Sequence, residues 1–134
     1  MLCKSAEETV LCGFEFGKKL KSGDVVCLIG DLGAGKTTFT KGIAKALNCK
    51  YEPVSPTFSI VHDYGGDVPL YHFDLYRLTC ENDLLSIDFD SYIFSEGVCV
   101  IEWPDIALGL LDKYYTVEIK YEGKMRIVDI KESE

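Results

Sequence analysis

The sequence predicts an α/β fold: a mixed sheet, parallel at its centre and antiparallel at its edges, with helices on both faces. Three observations predict it. The run Val25-Val26-Cys27-Leu28-Ile29 is apolar and rich in β-branched residues, enters a glycine-rich turn, and continues into a stretch where Phe39, Ile43 and Leu47 recur every four residues. A second apolar run, Val98-Cys99-Val100-Ile101, has the pattern of a strand buried on both faces and belongs beside the first in the sheet centre. Residues 58–64 with 70–73, and 116–121 with 125–130, are joined by Gly65-Gly66-Asp67 and Glu122-Gly123-Lys124 and read as hairpins.

The remaining elements follow in order. Ser5-Ala6-Glu7-Glu8 has capping-box spacing, and Ala6, Val10 and Phe14 recur at helical intervals with Leu11 beside them, so residues 6–20 read as a helix packed on the sheet. Ser22-Gly23-Asp24 turns it into the first strand. The helix after the glycine turn stops near Asn48, and residues 51–56, with two prolines, form a connector. Residues 82–94 read as one or two short helices, and 104–111 as another.

At 134 residues the chain is near the commonest domain size, so residues 1–134 are expected to form one domain. No apolar run approaches the ~20 residues of a membrane span. The first residues lack the charged-then-apolar pattern of a secretory signal, and a cytoplasmic protein is expected. Six cysteines show no pair at zinc or redox spacing; Cys27 and Cys99 sit inside apolar runs, and all six read as reduced packing residues.

Charge is uneven. Between Leu78 and Asp112 there are eight acidic residues and no Lys or Arg, whereas residues 1–50 carry eight Lys against five acids. A net charge of −8 makes the chain a poor grip on nucleic acid by itself, because phosphate contacts need Lys and Arg. Any RNA connection would run through a more basic partner.

The chemistry-bearing segment is Gly30-Asp31-Leu32-Gly33-Ala34-Gly35-Lys36-Thr37, which fits G-x-x-x-x-G-K-[ST] between a strand and a helix. The glycines let several backbone N–H groups converge on one anion, at the positive end of the following helix. A nucleotide triphosphate fits this nest. The motif assigns binding to Asp31, Leu32, Gly33, Ala34, Gly35, Lys36, Thr37 and Thr38, with Lys36 reaching the β/γ-phosphates and the Thr37 hydroxyl on Mg²⁺. The fold class is thus specified further as a P-loop NTPase domain.

Hydrolysis needs in addition a carboxylate near Mg²⁺ and a group that orients water. Glu102, at the carboxyl end of the second apolar run, and Asp74, ending the strand before Leu75-Tyr76-Arg77, compete for these duties. Ser55-Pro56-Thr57-Phe58 lies where a switch segment would meet the γ-phosphate, and equally reads as a plain connector. Trp103, the only tryptophan, suits packing or a wall of the nucleotide site. Arg77 fits an internal arginine finger or a salt-bridged strand-end arginine, while His62 and His72 have no ligand spacing and read as structural.

Taken together, Gly30-Asp31-Leu32-Gly33-Ala34-Gly35-Lys36-Thr37-Thr38-Phe39, Ser55-Pro56-Thr57-Phe58, His72-Phe73-Asp74-Leu75-Tyr76-Arg77-Leu78 and Ile101-Glu102-Trp103-Pro104, in this order, resemble the TsaE (YjeE) family. That family is the small ATPase of bacterial tRNA threonylcarbamoyladenosine formation. The resemblance implies binding of ATP and Mg²⁺ and association with a TsaB–TsaD pair, which modifies the adenosine next to the anticodon of tRNAs reading A-starting codons. The ATPase resets that complex, and tRNA is met only through the partners. By the same resemblance Lys36 and Thr37 serve phosphate and metal, Glu102 is a Mg²⁺ ligand, and Asp74 is the acid needed for hydrolysis. Thr57 belongs to a switch-like loop, and Trp103 neighbours the nucleotide or a partner surface.

The alternative is a P-loop small-molecule kinase, which would need a mobile lid whose arginines close over the phosphates. Arg77 and Arg126 are the only arginines, which counts against it. A GTPase lacks support because no Asn-Lys-x-Asp-type motif is present.

Overall fold

In a computed structural model of the chain, which describes residues 1–31, 33–53 and 60–133, seven strands form one sheet in the order β1-β7-β6-β2-β5-β4-β3. These are β1 (Leu2–Cys3), β2 (Val25–Ile29), β3 (Val61–Asp63), β4 (Leu70–Asp74), β5 (Val98–Glu102), β6 (Tyr115–Glu122) and β7 (Met125–Glu132). Helix α1 (Ala6–Gly17) precedes β2, α2 (Lys36–Ala46) follows it, α3 (Glu81–Ser86) and α4 (Phe89–Ile93) lie between β4 and β5, and a 3-10 helix (Asp105–Leu110) follows β5.

The centre is parallel, as expected: β2 pairs in parallel with β5 and with β6, and β5 with β4. The edges are antiparallel, β3 on β4 and β7 on β6. Strand β1 was not foreseen; Leu2 and Cys3 pair with Ile127 and Arg126, and a two-residue strand carries no periodicity to read. Helix α1 also ends earlier than residue 20. Lys19 and Leu20 donate to the carbonyls of Phe16 and Gly17, three residues back, so the last turn tightens out of α-geometry.

Alternation along the strands divides the core in two. Val26 and Leu28 of β2, Val98 and Val100 of β5, and Leu70 of β4 face α1 and α2, where they meet Phe16, Phe39 and Ile43. Val25, Cys27, Cys99, Ile101 and Phe73 face the other way and meet Leu84, Phe89 and Ala107 of the short helices. Helices therefore cover both faces.

Helices α1 and α2 touch through backbone. A Cβ added at Gly13 would stand 2.1 Å from the Phe39 carbonyl oxygen, and one at Gly42 would stand 2.0 Å from that of Val10. Neither position accommodates any side chain without separating the helices. Ser5 caps α1 as its sequence predicts, its Oγ accepting the Glu8 N–H at 3.2 Å.

Candidate nucleotide site

The site lies at the carboxyl ends of the parallel strands, where β2 runs through the glycine turn into α2. Gly35 has φ 109° and stands at the helix N-cap, a left-handed conformation that glycine adopts without a Cβ clash. The Ala34 N–H donates to the Asp31 carbonyl at 3.0 Å and the Phe39 N–H to that of Gly35 at 2.8 Å, which closes the turn onto the helix. Among the described residues no side-chain hydrogen bond caps α2, whose first N–H groups stand at the positive end of the helix. A Cβ at Gly30 would stand 2.7 Å from the Ile119 carbonyl, so the loop presses backbone to backbone on β6.

Lys36, at the head of α2, and Glu102, at the end of β5, come together in the structure. Lys36 Nζ lies 3.4 Å from Glu102 Oε1, and the two residues are 5% and 6% exposed. Burial raises the Glu102 pKa, but the hydrogen bond with His72 and the charges of His72 and Lys36 outweigh it and hold the carboxyl below its ordinary value. It is ionised at neutral pH. The indole of Trp103 covers the ammonium, with Nζ 4.6 Å from the ring centroid. Trp103 itself has φ 56°, an uncommon left-handed backbone for a bulky residue, and its ring packs on Tyr76 at 4.9 Å.

Asp74 is the register partner of Glu102 across β4 and β5, so both carboxylate-bearing residues end neighbouring parallel strands. Its Oδ1 accepts the Tyr76 N–H at 2.9 Å, which fixes the carboxylate rotation. Thr37 and Thr38 stand half-buried in the first turn of α2. Leu32 and Thr57 lie outside the described residues. Arg77 is exposed and makes no ion pair among the described residues.

Two features went unread in the sequence. His72, read as structural, is fully buried and its Nε2 stands 2.5 Å from Glu102 Oε2; its Nδ1 is 2.9 Å from the Tyr64 hydroxyl. The signal available was parity, since residues two apart in a strand share a face and His72 lies two before Asp74. The second feature is a cavity of about 140 Å³ beside the glycine turn, walled by Ser5 and Thr9 of the α1 end, Thr38 of α2, and Lys124 and Arg126 of the β6–β7 hairpin. Those walls come from distant parts of the chain.

The donor set suits a nucleotide with a magnesium ion. The glycine turn and capless helix offer N–H groups to phosphate, Lys36 a cation, and Thr37 and Glu102 hard oxygens. Magnesium takes few protein ligands and completes its shell with phosphate and water. A parallel-centred α/β sheet whose strand β2 passes through a glycine turn into α2 with a buried Lys–Glu pair defines the phosphate-binding-loop class.

Comparison with known proteins narrows the class. Residues 3–128 match the family described as threonylcarbamoyl adenosine biosynthesis protein TsaE, and the chain belongs to that family. It is 41% identical over 111 residues to the tRNA threonylcarbamoyladenosine biosynthesis protein TsaE of Treponema pallidum, covering 83% of this chain and 82% of that one. It is 41% identical over 131 residues to the protein of the same name from Aquifex aeolicus, covering 95% and 92%. The crystal structure of Bacillus subtilis YdiB superposes with a TM-score of 0.77 at 34% identity, over 96% of this chain and 80% of that one. No helix among the described residues is long and apolar enough to cross a membrane.

Proposed function

We propose that this protein is a P-loop ATPase, one domain over residues 1–134, that binds and hydrolyses ATP with Mg²⁺ in support of a TsaB–TsaD pair. Family membership gives the broader role, in tRNA threonylcarbamoyladenosine biosynthesis. The observation that carries the finer reading is the buried Lys36–Glu102 pair at the mouth of the glycine turn. A lysine and a carboxylate withdrawn from water at 3.4 Å are costly unless the pair is exchanged for something of like charge, and a phosphate for Lys36 with a cation for Glu102 is such an exchange.

ATP and Mg²⁺ together would supply a phosphoryl group with its charge neutralised for transfer to water. The chain's residues have separable roles. The N–H groups of the turn, from Asp31 through Gly35, and of Thr38 would hold the phosphates, and Lys36 would bind their β/γ oxygens. The Thr37 hydroxyl and Glu102 would hold the cation. Asp74, its rotation fixed by the Tyr76 N–H, would orient the attacking water. Trp103 would exclude solvent from Lys36, and the cavity at Ser5, Thr9 and Arg126 is the adjoining space into which the rest of a nucleotide would extend. Thr57 would act from a switch-like segment. The acidic surface leaves tRNA to the partners, and a cytoplasmic location follows from that role.

The test is ATP hydrolysis by the purified chain, alone and with TsaB and TsaD from the same source, at fixed Mg²⁺. Stimulation by the pair is expected, and Asp74→Ala should abolish hydrolysis while nucleotide still protects the fold against heat. An unchanged rate and no complex would reject the partner assignment; phosphate transfer to an added small acceptor in preference to water would favour a kinase.

A further inference from the structure

We infer that His72 is a positioning residue for Glu102: it fixes the carboxylate so that Oε1 faces the glycine turn, and thereby sets how readily the site takes up a divalent cation. This rests on the reading of Glu102 as a cation ligand. His72 sits in the middle of β4, 0% exposed, in a row otherwise filled by Leu70, Val98 and Val100. An imidazole there is a poor choice for packing, because each ring nitrogen must find a partner or cost free energy that an apolar side chain would not.

Both nitrogens are matched. With Glu102 ionised, Nε2 is the donor in the 2.5 Å contact to Oε2, and Nδ1 meets the Tyr64 hydroxyl at 2.9 Å. Tyr64, 3% exposed, also stands 3.4 Å from Nδ1 of His62, the cross-strand partner of His72 on β3. The ring is therefore clamped from behind. Its grip divides the two carboxylate oxygens: Oε2 is committed to the histidine inside the sheet, and Oε1 is turned to Lys36 at 3.4 Å. A group that holds a ligand's remaining oxygen orders the ligand before the metal arrives, and removing such outer partners commonly costs about 10–100-fold in metal affinity.

Three substitutions separate positioning from packing. His72→Leu keeps the volume apolar and removes the donor. His72→Gln returns an amide N–H at the reach of Nε2, whereas His72→Asn carries one that stops short of Glu102. Each folded variant would be titrated with Mn²⁺ in the presence of ADP and followed by electron paramagnetic resonance, with ADP binding in chelator measured alongside. Expected are a rise of about tenfold or more in the Mn²⁺ requirement for Leu and Asn, recovery in Gln, and unchanged metal-free ADP binding in all three. An unchanged Mn²⁺ requirement in Leu, or equal loss with and without metal, would overturn the inference. Should the Leu variant not fold, equal Mn²⁺ requirements in Gln and Asn would overturn it. Wild-type protein that binds ADP without ordering Mn²⁺ would instead reject the cation-site reading itself.

Discussion

The two faces of the sheet are built to different tolerances. On one, α1 and α2 meet through Gly13 and Gly42 with carbonyl oxygens where side chains would be, and the glycine turn presses its own backbone on β6. On the other, α3, α4 and the 3-10 helix have 6, 5 and 6 residues, too short to be stable alone, and hold to the sheet by inserting single large side chains such as Leu84 and Phe89. That face also leaves Leu85 and Phe94 at 74% and 77% exposed within the acidic stretch. The difference teaches where geometry is spent. The face that carries the glycine turn is fixed by backbone contact, and the opposite face by bulk.

Substitutions can break this contrast. The largest effect belongs to Phe89→Ala, which empties a fully buried site where the ring meets Phe73 edge-on at 5.2 Å. It should cost about 3–5 kcal/mol in denaturant unfolding and leave ADP affinity per folded molecule unchanged. A weakened affinity would mean that the bulk-packed face also governs the turn. Next comes Gly42→Ala, where one methyl meets the Val10 carbonyl at 2.0 Å. A loss of about 2–3 kcal/mol is expected together with weaker ADP binding, and a neutral result would show that the helices part without consequence.

The exposed apolar residues sharpen the comparison from the other side. Leu85→Ser and Phe94→Ser should each change stability by no more than about 0.5 kcal/mol by the same unfolding assay. Thiol chemistry gives the smallest perturbation. Burial pushes the Cys27 and Cys99 thiols up to about 12 and those of Cys12 and Cys49 to about 11, and Cys80 alone among the cysteines is exposed. Alkylation of the native protein at pH 8, read by mass spectrometry, should therefore label Cys80 first. Early labelling of Cys27 would reveal opening of the sheet centre.

Legibility followed locality. Strand β2, its glycine turn and α2 are contiguous and could be read from spacing, as could the buried run of β5 and both hairpins. Strand β1 could not, because Leu2 and Cys3 have meaning only against Ile127 and Arg126 at the far end of the chain. In the candidate site, the place of Lys36 at the head of α2 was legible from its motif and that of Glu102 at the end of β5 from its apolar run. His72 was hidden because a buried histidine in an apolar strand looks like packing until its neighbour on β5, Glu102, is known. The left-handed backbone of Trp103 likewise leaves no trace in a tryptophan followed by proline. Nor could the cavity walls at Ser5, Thr9 and Arg126 be joined from sequence, since the β1–β7 pairing brings them together.

The contact between α1 and α2 also decides how that cavity can adapt. Thr9 hangs from α1 and Thr38 from α2, and with carbonyls seated on Gly13 and Gly42 the two helices are in direct backbone contact. Lys124 and Arg126 come instead from the end of the β6–β7 hairpin, beside the turn at Gly123, where an added Cβ would touch nothing. Room for an occupant of different size therefore lies on the hairpin side of the cavity, the less closely packed of its two walls.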